Sequence, residues 1–292
     1  MTVSTEQPWT IGRLLEWTTE FLARKGSGSA RLDTQLLLAH ALGCTRTALY
    51  TRWDEEPAEP TRRRFKELVQ QRLRGTPVAY LLGRKEFFSL EFEVGPAVLI
   101  PRPDTEWLVT ECLRLAKGAD APRVLDVGTG SGCLAVAVAH AHKGAQVTAV
   151  DLSPEALAVA SRNAARHGVA QRVRFLEGDL FAPLPAGERF DFVLSNPPYV
   201  PSGELPGLMA DVRDHEPHLA LDGGPDGFAV FDRLVAQAPA HLTPGGHLIV
   251  EIHAGLEGPA RARIESRAGY ELGKTVHDLA GRPRVLVARW RG

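Results

Sequence analysis

The residues whose types most directly suggest chemistry stand together in the stretch Asn196-Pro197-Pro198-Tyr199. An apolar run over 190–195 precedes them, which is typical of a buried strand that stops at a rigid turn. Proline fixes φ and has no backbone donor, so we expect the carbonyl groups of Asn196 and Pro197 to point outward as hydrogen-bond acceptors. The Asn196 side chain adds an amide, and Tyr199 adds a flat ring. These groups suit a ligand with an amino group, although asparagine and proline are also ordinary turn residues.

A glycine-rich turn follows another apolar run, over 124–127, and reads Gly128-Thr129-Gly130-Ser131-Gly132. Such a turn lets a ligand approach the backbone closely, and the N-terminus of the helix that follows favours negative charge. The dinucleotide pattern G-x-G-x-x-G would require glycine where this chain has Cys133, and the Lys-Ser/Thr ending of a P-loop is missing. The turn therefore does not predict a nucleoside triphosphate. Its simpler interpretation is a tight connection between strand and helix.

Two acidic residues stand at the ends of the next two predicted strands. Asp151 is placed to accept hydrogen bonds from ribose hydroxyls, or to cap the next helix, for which Ser153 is the better candidate. Asp179 is placed to accept from an adenine amino group, with Leu180 or Phe181 beside the ring, or is an ordinary turn residue. Together with the glycine-rich turn, these residues predict an adenosine-containing ligand that has no pyrophosphate.

The elements that must position these residues form a predicted α/β sheet. From residue 123 onward, strands and helices alternate, which is typical of a parallel sheet covered on both faces. We predict strands over 123–127, 146–151, 173–177, 190–195, 246–252, 271–276 and 284–289. The predicted helices are 132–142, 154–167, 227–241 and 256–268. Open α/β sheets bind ligands at the carboxyl ends of their strands, so all four features are expected at one edge.

The region before the sheet divides into a helical domain and a linker. Apolar residues recur at helical spacing over 10–74, and we place the helical domain at 1–75. A basic helix over 60–73 could face an RNA-rich or acidic partner, but the acidic residues before it favour an ordinary solvated surface. Alternating apolar residues, broken at Gly95-Pro96, predict a β-hairpin linker over 76–103. The third domain, 104–292, opens with Asp104 as the expected cap of a helix over 106–117.

The composition of the 292 residues limits the classes of function. A hydrophobic content of 44% and a charged content of 24% are those of a soluble globular protein. The net charge of -1 argues against bulk electrostatic attachment to nucleic acid or membrane. The three scattered cysteines fit free thiols in a reducing compartment, and the polar residues 1–7 predict no signal peptide. We therefore expect a cytoplasmic protein.

Two further motifs do not predict a site. His215 and His218 flank Glu216, but no second cluster of ligand residues completes a metal site, so we predict no metal. Gly130 is adjacent to Ser131, whereas the nucleophile elbow of a serine hydrolase needs one residue between them.

The residues resemble those of the PrmC/HemK family, the peptide chain release factor glutamine N5-methyltransferases. The likeness extends over nearly the whole chain and is carried by segments 31–38, 77–83, 99–106, 126–132, 195–199, 216–224 and 278–285. Asn-Pro-Pro-Tyr alone is shared with DNA adenine methyltransferases, and the upstream Ile100-Pro101-Arg102-Pro103-Asp104-Thr105-Glu106 makes the combination specific. One departure lies at 251–256, where the family usually has Gly after Ile and a Gln soon after. It puts the edge of the cofactor pocket in doubt.

The resemblance implies a class I S-adenosylmethionine-dependent methyltransferase domain, Rossmann-like with a mostly parallel seven-stranded sheet, behind a helical domain that binds release factors. Its cofactor positions, with Asp179 added from our own reasoning, are Gly128, Thr129, Gly130, Ser131, Gly132, Asp151, Asp179, Leu180 and Asn196. Its glutamine site is Asn196, Pro197, Pro198 and Tyr199, of which Asn196, Pro197 and Tyr199 are the expected catalytic residues.

The implied reaction transfers a methyl group from S-adenosylmethionine to the side-chain N5 of the glutamine in the Gly-Gly-Gln motif of class I release factors, leaving S-adenosylhomocysteine. The expected partners are these release factors as protein substrates, with no direct nucleic acid, no membrane and a monomeric enzyme. We expect Asn196 and the Pro197 carbonyl to accept the two amide hydrogens and Tyr199 to stack on the amide plane. The alternatives are a ribosomal-protein glutamine methyltransferase, a DNA adenine methyltransferase, and a non-enzymatic cofactor-binding or docking protein.

Overall fold

A computed structural model describes residues 8–292, so the prediction for residues 1–7 lies outside the described part of the chain. The chain divides into two units of dense internal contact. The first unit ends at Gly83 and also contains Ala210–His215, and the second comprises Arg84–Met209 and Glu216–Gly292. The division thus lies beyond the predicted end of the helical domain at 75. The reason is a short helix after Pro77 that packs with the preceding helices.

The first unit is built from helices. They are α1 (Ile11–Arg24), α2 (Ala30–Leu42), α3 (Arg46–Thr51), α4 (Glu59–Leu73) and α5 (Val78–Leu82). The side chain of Thr10 caps α1, and the side chain of Thr45 caps α3, each by accepting a backbone N–H three residues on. The apolar faces of α1, α2 and α4 meet in one core, whose most buried members are Ile11, Leu22, Leu37, Leu38, Leu49 and Phe65.

Several basic side chains of helix α4 form ion pairs within the first unit. Arg72 donates from Nε to Oδ2 of Asp33 at 2.8 Å, and both side chains are largely buried. Arg62 and Arg63 pair with Glu56 and Glu59. These ion pairs neutralise part of the positive charge of α4 within the unit.

The second unit is organised around one mixed sheet. Its strands are β3 (Arg123–Val127), β4 (Gln146–Asp151), β5 (Val173–Glu177), β6 (Phe190–Ser195), β7 (Leu242–Glu251), β8 (Tyr270–Leu272), β9 (Val276–His277) and β10 (Pro283–Trp290). The order is β5-β4-β3-β6-β7-β10-β8, with β9 paired to β10. Strands β3 to β7 are parallel, and β10 is antiparallel to its neighbours.

Helices cover both faces of this sheet. On one face lie α6 (Glu106–Leu115), α7 (Cys133–Ala141) and α8 (Pro154–Arg166), and on the other lie α10 (Ala229–Gln237) and α11 (Glu257–Glu265). The short α9 (Ala210–Arg213) belongs to the first unit. Successive strand residues point to opposite faces, so Val124 joins the core under α7 while Leu125 joins the core under α10.

Some element predictions need correction. The strand predicted over 271–276 is two short strands, β8 and β9, which pair with different parts of β10. With β9 included, the sheet has eight strands rather than seven. The hairpin before the sheet pairs β1 (Arg84–Phe87) with β2 (Leu90–Glu93). Its turn is at Phe88 and Ser89, with φ values of 50° and 59°, and not at Gly95-Pro96.

The predicted cap of α6 is also wrong. Asp104 lies in a 3₁₀ turn, Pro103–Thr105, and pairs with Arg284 at 3.0 Å instead of accepting a helix N–H. No side chain caps α6. The long-range ion pair is available to Asp104 because β10 is inserted between β7 and β8, a consequence of topology that the local sequence does not reveal.

Candidate active site

A cavity of about 430 Å³ lies at the carboxyl ends of β3, β4, β5 and β6. The chain runs outward from β3 to β4 and β5 and then returns to β6 on the other side of β3, so the cavity is at the switch point of the sheet. Its walls include Val127–Ser131, Asp151, Gly178–Leu180 and Ser195–Pro198. The structure therefore brings together the four strand-end features that the sequence singled out.

The glycine-rich turn contributes two different kinds of glycine. Gly128 and Gly130 have φ values of 75° and 54°, line the cavity, and would place an added Cβ within 4 Å of no protein atom. Gly132 does not line the cavity, and its Cβ would come within 2.9 Å of the Cβ of Ala160. The first two glycines thus keep space open for a ligand, whereas Gly132 allows α7 to pack closely against α8.

A buried carboxyl holds this turn in place. Asp126 accepts the Thr129 hydroxyl at 2.6 Å and the Ala135 N–H at 3.1 Å, both through Oδ2. Burial raises the pKa of Asp126 to about 7. Our sequence reasoning did not assign a role to Asp126, although a single acid inside an apolar strand was a usable signal.

Asp151 connects the turn to the end of β4. Its Oδ2 accepts the Gly130 N–H at 2.8 Å, and its Oδ1 accepts the Ser153 N–H at 3.0 Å. Burial raises its pKa, although these backbone hydrogen bonds oppose the shift. The cap of α8 is the Ser153 hydroxyl, which accepts the Ala156 N–H at 3.1 Å. Asp151 therefore faces the cavity, and each of its oxygens keeps a further acceptor position.

The end of β5 places two of the predicted residues at the cavity. Asp179 lines the wall and pairs with Arg233 at 2.5 Å on the surface. Leu180 lines it too and has a φ of 52°, a left-handed conformation that is uncommon for leucine. Phe181 is buried in the core and stacks on His241, so of the two candidates for flanking a ring only Leu180 reaches the cavity.

The end of β6 brings Asn196, Pro197 and Pro198 to the cavity wall. The Asn196 amide donates from Nδ2 to the Thr105 hydroxyl at 3.2 Å. Tyr199 does not line the cavity, because its ring packs at 5.9 Å from the ring of His253. Burial raises the pKa of Tyr199 to about 12, helped by the nearby Glu251 carboxylate.

Glu216 holds in place a loop that contributes to the cavity wall. Its buried carboxylate accepts the Ile100 N–H at 3.1 Å and pairs with Arg102 at 2.6 Å, and Arg102 lines the cavity. Its carboxylate therefore positions the loop 100–102. Within residues 8–292, no group of three or more His, Cys, Asp or Glu side chains is arranged to hold a metal.

Comparison with known proteins assigns the chain to a family. The PrmC N-terminal domain matches residues 13–83, and the methyltransferase small domain matches residues 105–210. A release factor glutamine methyltransferase of Rhodopirellula baltica is 45% identical over 287 residues, covering 97% of each chain. The protein of the same name from Geobacter sulfurreducens is 46% identical, covering 98% of this chain and 99% of its own. The chain belongs to the release factor glutamine methyltransferase family.

Membership of this family confirms the resemblance, the enzyme class and the methyltransferase fold expected from the motifs. A methyltransferase from Pyrococcus furiosus, 22% identical, shares the fold with a TM-score of 0.52, over 71% of this chain and 92% of its own. None of the helices that the structure describes has both the length and the apolarity needed to cross a membrane.

Proposed function

We propose that this protein methylates the side-chain N5 of the glutamine in the Gly-Gly-Gln motif of class I peptide chain release factors, with S-adenosylmethionine as the methyl donor. The observation that carries the proposal is that Asn196 and Pro197 share one cavity with the glycine-rich turn and Asp151. An acceptor-rich turn for an amino group thus lies beside a site suited to an adenosine-type ligand. The names of the most similar relatives support the choice of release factor glutamine over other amino groups.

The residues at the cavity fit S-adenosylmethionine. The backbone at Gly128 and Gly130 is open to a ligand, and Asp151 keeps acceptor positions for ribose hydroxyls. The other proposed cofactor residues at the wall are Thr129, Ser131, Asp179, Leu180 and Asn196, while Gly132 acts by packing behind the turn. When bound, this cofactor supplies a methyl group activated by the positive charge on sulfur.

The protein's own contribution to the reaction is orientation. An amide nitrogen is a poor nucleophile because its lone pair is delocalised into the carbonyl. We assign the Asn196 Oδ1 and the Pro197 carbonyl as acceptors of the two amide hydrogens, which turns the lone pair toward the methyl group without a strong base. The methylated nitrogen then loses its extra proton to water. The stacking proposed for Tyr199 requires the ring to reach the cavity, and in this structure the ring lies against His253.

We also propose that the helical unit that ends at Gly83 binds the release factor. Its match to the PrmC N-terminal domain supports this assignment. The enzyme is then expected to work as a monomer in the cytoplasm, where release factors act, without direct contact to nucleic acid or membrane.

The direct test is incubation of the purified protein with radiolabelled S-adenosylmethionine and purified release factors. Native release factor should take up label, and a variant with alanine in place of the Gly-Gly-Gln glutamine should take up none. Label on the alanine variant would place the acceptor elsewhere. No label on either protein, with cofactor binding intact, would overturn the proposed function.

A further inference from the structure

We propose that the groove between α1 and α4 of the helical unit is a docking site for an amphipathic helix of the release factor. The docked helix would have an apolar stripe with acidic residues along the edge that faces α4. The proposal rests on the function proposed above and assigns a contact surface to the helical unit.

The first observation is the groove itself. Helices α1 and α4 each pack against α2, and they make little direct contact with each other. The space between them is a cavity of about 720 Å³, and its lining residues all lie between Trp9 and Leu73. Leu14, Phe65 and Val69 line it and are themselves buried, so they form an apolar floor. An ordinary solvated helix surface has no such floor.

The second observation is an exposed aromatic cluster at the groove. Trp17 is 46% exposed, stacks on Phe21 at 5.0 Å and packs edge-on against Trp9 at 6.1 Å. All three rings line the groove. Because its neighbours already hold the Trp17 ring, little side-chain freedom is left to lose on binding. Exposed tryptophan in such a setting is a typical anchor of protein interfaces.

The dimensions of the groove favour a helix. Its lining on α4 runs from Glu59 to Leu73, the whole 15 residues of that helix, or about 20 Å. A helix of about four turns fills this length, and its residues at i, i+3, i+4 and i+7 face the floor. An extended peptide would need backbone partners, which the helices at the groove do not offer because their own hydrogen bonds use their N–H and C=O groups.

The charges at the groove favour acidic residues in the partner. Arg62, Arg63 and Lys66 line the α4 side, against one acid, Glu59. Arg62 and Arg63 pair with acidic side chains at the surface, where such pairs are weak and can exchange partners. Lys66 is exposed. The excess of positive charge attracts acidic side chains on the edge of a docked helix.

Single-stranded nucleic acid is the other ligand class that combines aromatic stacking with basic side chains. The floor of Leu14, Phe65 and Val69 suits aliphatic and phenyl groups, and Glu59 in the wall would repel a phosphate. The net charge of the chain, -1, is also unlike that of a protein that binds nucleic acid by charge. These observations favour a protein helix.

The main test measures the steady-state methylation of release factor by Trp17→Ala, Leu73→Ala and Lys66→Glu. We expect each change to lower kcat/KM by about tenfold or more through KM, because each removes a docking contact. The value of kcat at saturating release factor should stay within about twofold of wild type, because the reacting groups are untouched.

Two matched controls lie outside the groove. Leu32→Ala removes a leucine of α2 that is 43% exposed, close to the 39% of Leu73. Lys143→Glu makes the same charge change as Lys66→Glu at an exposed position between α7 and β4. Both controls should leave kcat/KM within about twofold of wild type.

Two further measurements identify the occupant. A photo-crosslinking amino acid in place of Leu73 should react with an acidic, amphipathic helix of the release factor. Crosslinks to residues 1–7 or to a second copy of the chain would overturn the proposal. Labelled polyuridine should show no change of fluorescence anisotropy with the protein, and binding that Lys66→Glu abolishes would make the groove a nucleic-acid site instead.

A KM equal to that of wild type in Lys66→Glu and Leu73→Ala would also overturn the proposal, as would a loss confined to kcat. If Trp17→Ala does not fold, the other two variants decide, because their side chains are exposed. A wild-type protein that methylates no release factor would instead overturn the proposed function, so the two failures are distinguishable.

Discussion

Individual acceptor groups, more than titrating acids and bases, carry the chemistry proposed for this protein. Asn196 and Pro197 come to the cavity because β6 stops at two consecutive prolines, which have no backbone donor to extend the ladder. Their types and order made them predictable from the sequence. Thr105 and Glu216 were not predictable in the same way, because their partners lie 91 and 116 residues away along the chain and no local pattern marks them.

Replacement of Asn196 by alanine tests the acceptor role directly. We expect turnover to fall by about 100-fold or more, as is usual when a preorganised polar group at the reacting centre is removed. Binding of S-adenosylmethionine, measured by calorimetry, should persist, because the glycine-rich turn and Asp151 are untouched. Turnover close to that of wild type would contradict the assignment of Asn196.

Replacement of Gly132 by alanine tests the packing role of the third glycine. The new Cβ would meet the Cβ of Ala160 at 2.9 Å, and the backbone has a φ of 78°. We expect the free energy of unfolding to fall by about 2 kcal/mol in denaturant titration. Adding Ala160→Gly should relieve the clash but not the backbone strain, and so restore part of the loss. Loss of cofactor affinity with unchanged stability would point instead to a direct role at the cavity.

Elements that are bounded by strong local signals could be predicted closely. The strands β3, β4, β5 and β6 begin and end where the sequence predicts, because each is an apolar run that stops at a glycine, an acid or a proline. The hairpin was misplaced for the opposite reason. Phe88 and Ser89 form its turn in the left-handed region, where glycine or asparagine is the usual sequence signal. Gly95-Pro96, which carries such a signal, lies in a loop.

The same turn gives a stability prediction. Ser89 is exposed and has a φ of 59°. This left-handed backbone conformation costs more free energy for a residue with a Cβ than for glycine. We expect Ser89→Gly to raise the free energy of unfolding by about 0.5–1 kcal/mol, measured by denaturant titration. Ser161→Gly, at an exposed position inside α8, is the matched control and should lower it by about 0.5 kcal/mol. Equal effects at the two sites would show that the strain at Ser89 is absent.

At the scale of the whole molecule, the buried acids at the site couple stability to pH. Burial raises the pKa values of Asp126 and Glu251 to about 7 each, whereas the pKa of a carboxyl in the unfolded chain is about 4. Stability from these groups is therefore fully present below about pH 4 and is lost as the pH rises through about 7.

This linkage can be measured by thermal and chemical unfolding of Asp126→Asn beside wild type. When the pH is raised from about 5 to about 8, the free energy of unfolding should fall by about 1–3 kcal/mol less in the variant than in wild type, because the asparagine side chain cannot ionise. The asparagine keeps an acceptor for the Thr129 hydroxyl and the Ala135 N–H. Parallel pH profiles for the two proteins would show that Asp126 titrates in the fold as it does in the unfolded chain.

The assignment of Ala210–His215 to the helical unit has a consequence for modular engineering. The polypeptide leaves the methyltransferase unit after Met209 and re-enters it at Glu216, so the helical unit is encoded by two separate stretches of sequence. A truncated protein that begins at Arg84 would lack Arg72 and Asp33 but keep Asp211, which lies 4.0 Å from Arg72 in the full chain. Grafting the helical unit onto another methyltransferase would therefore require two splice sites, and a single fusion point would transplant an incomplete module.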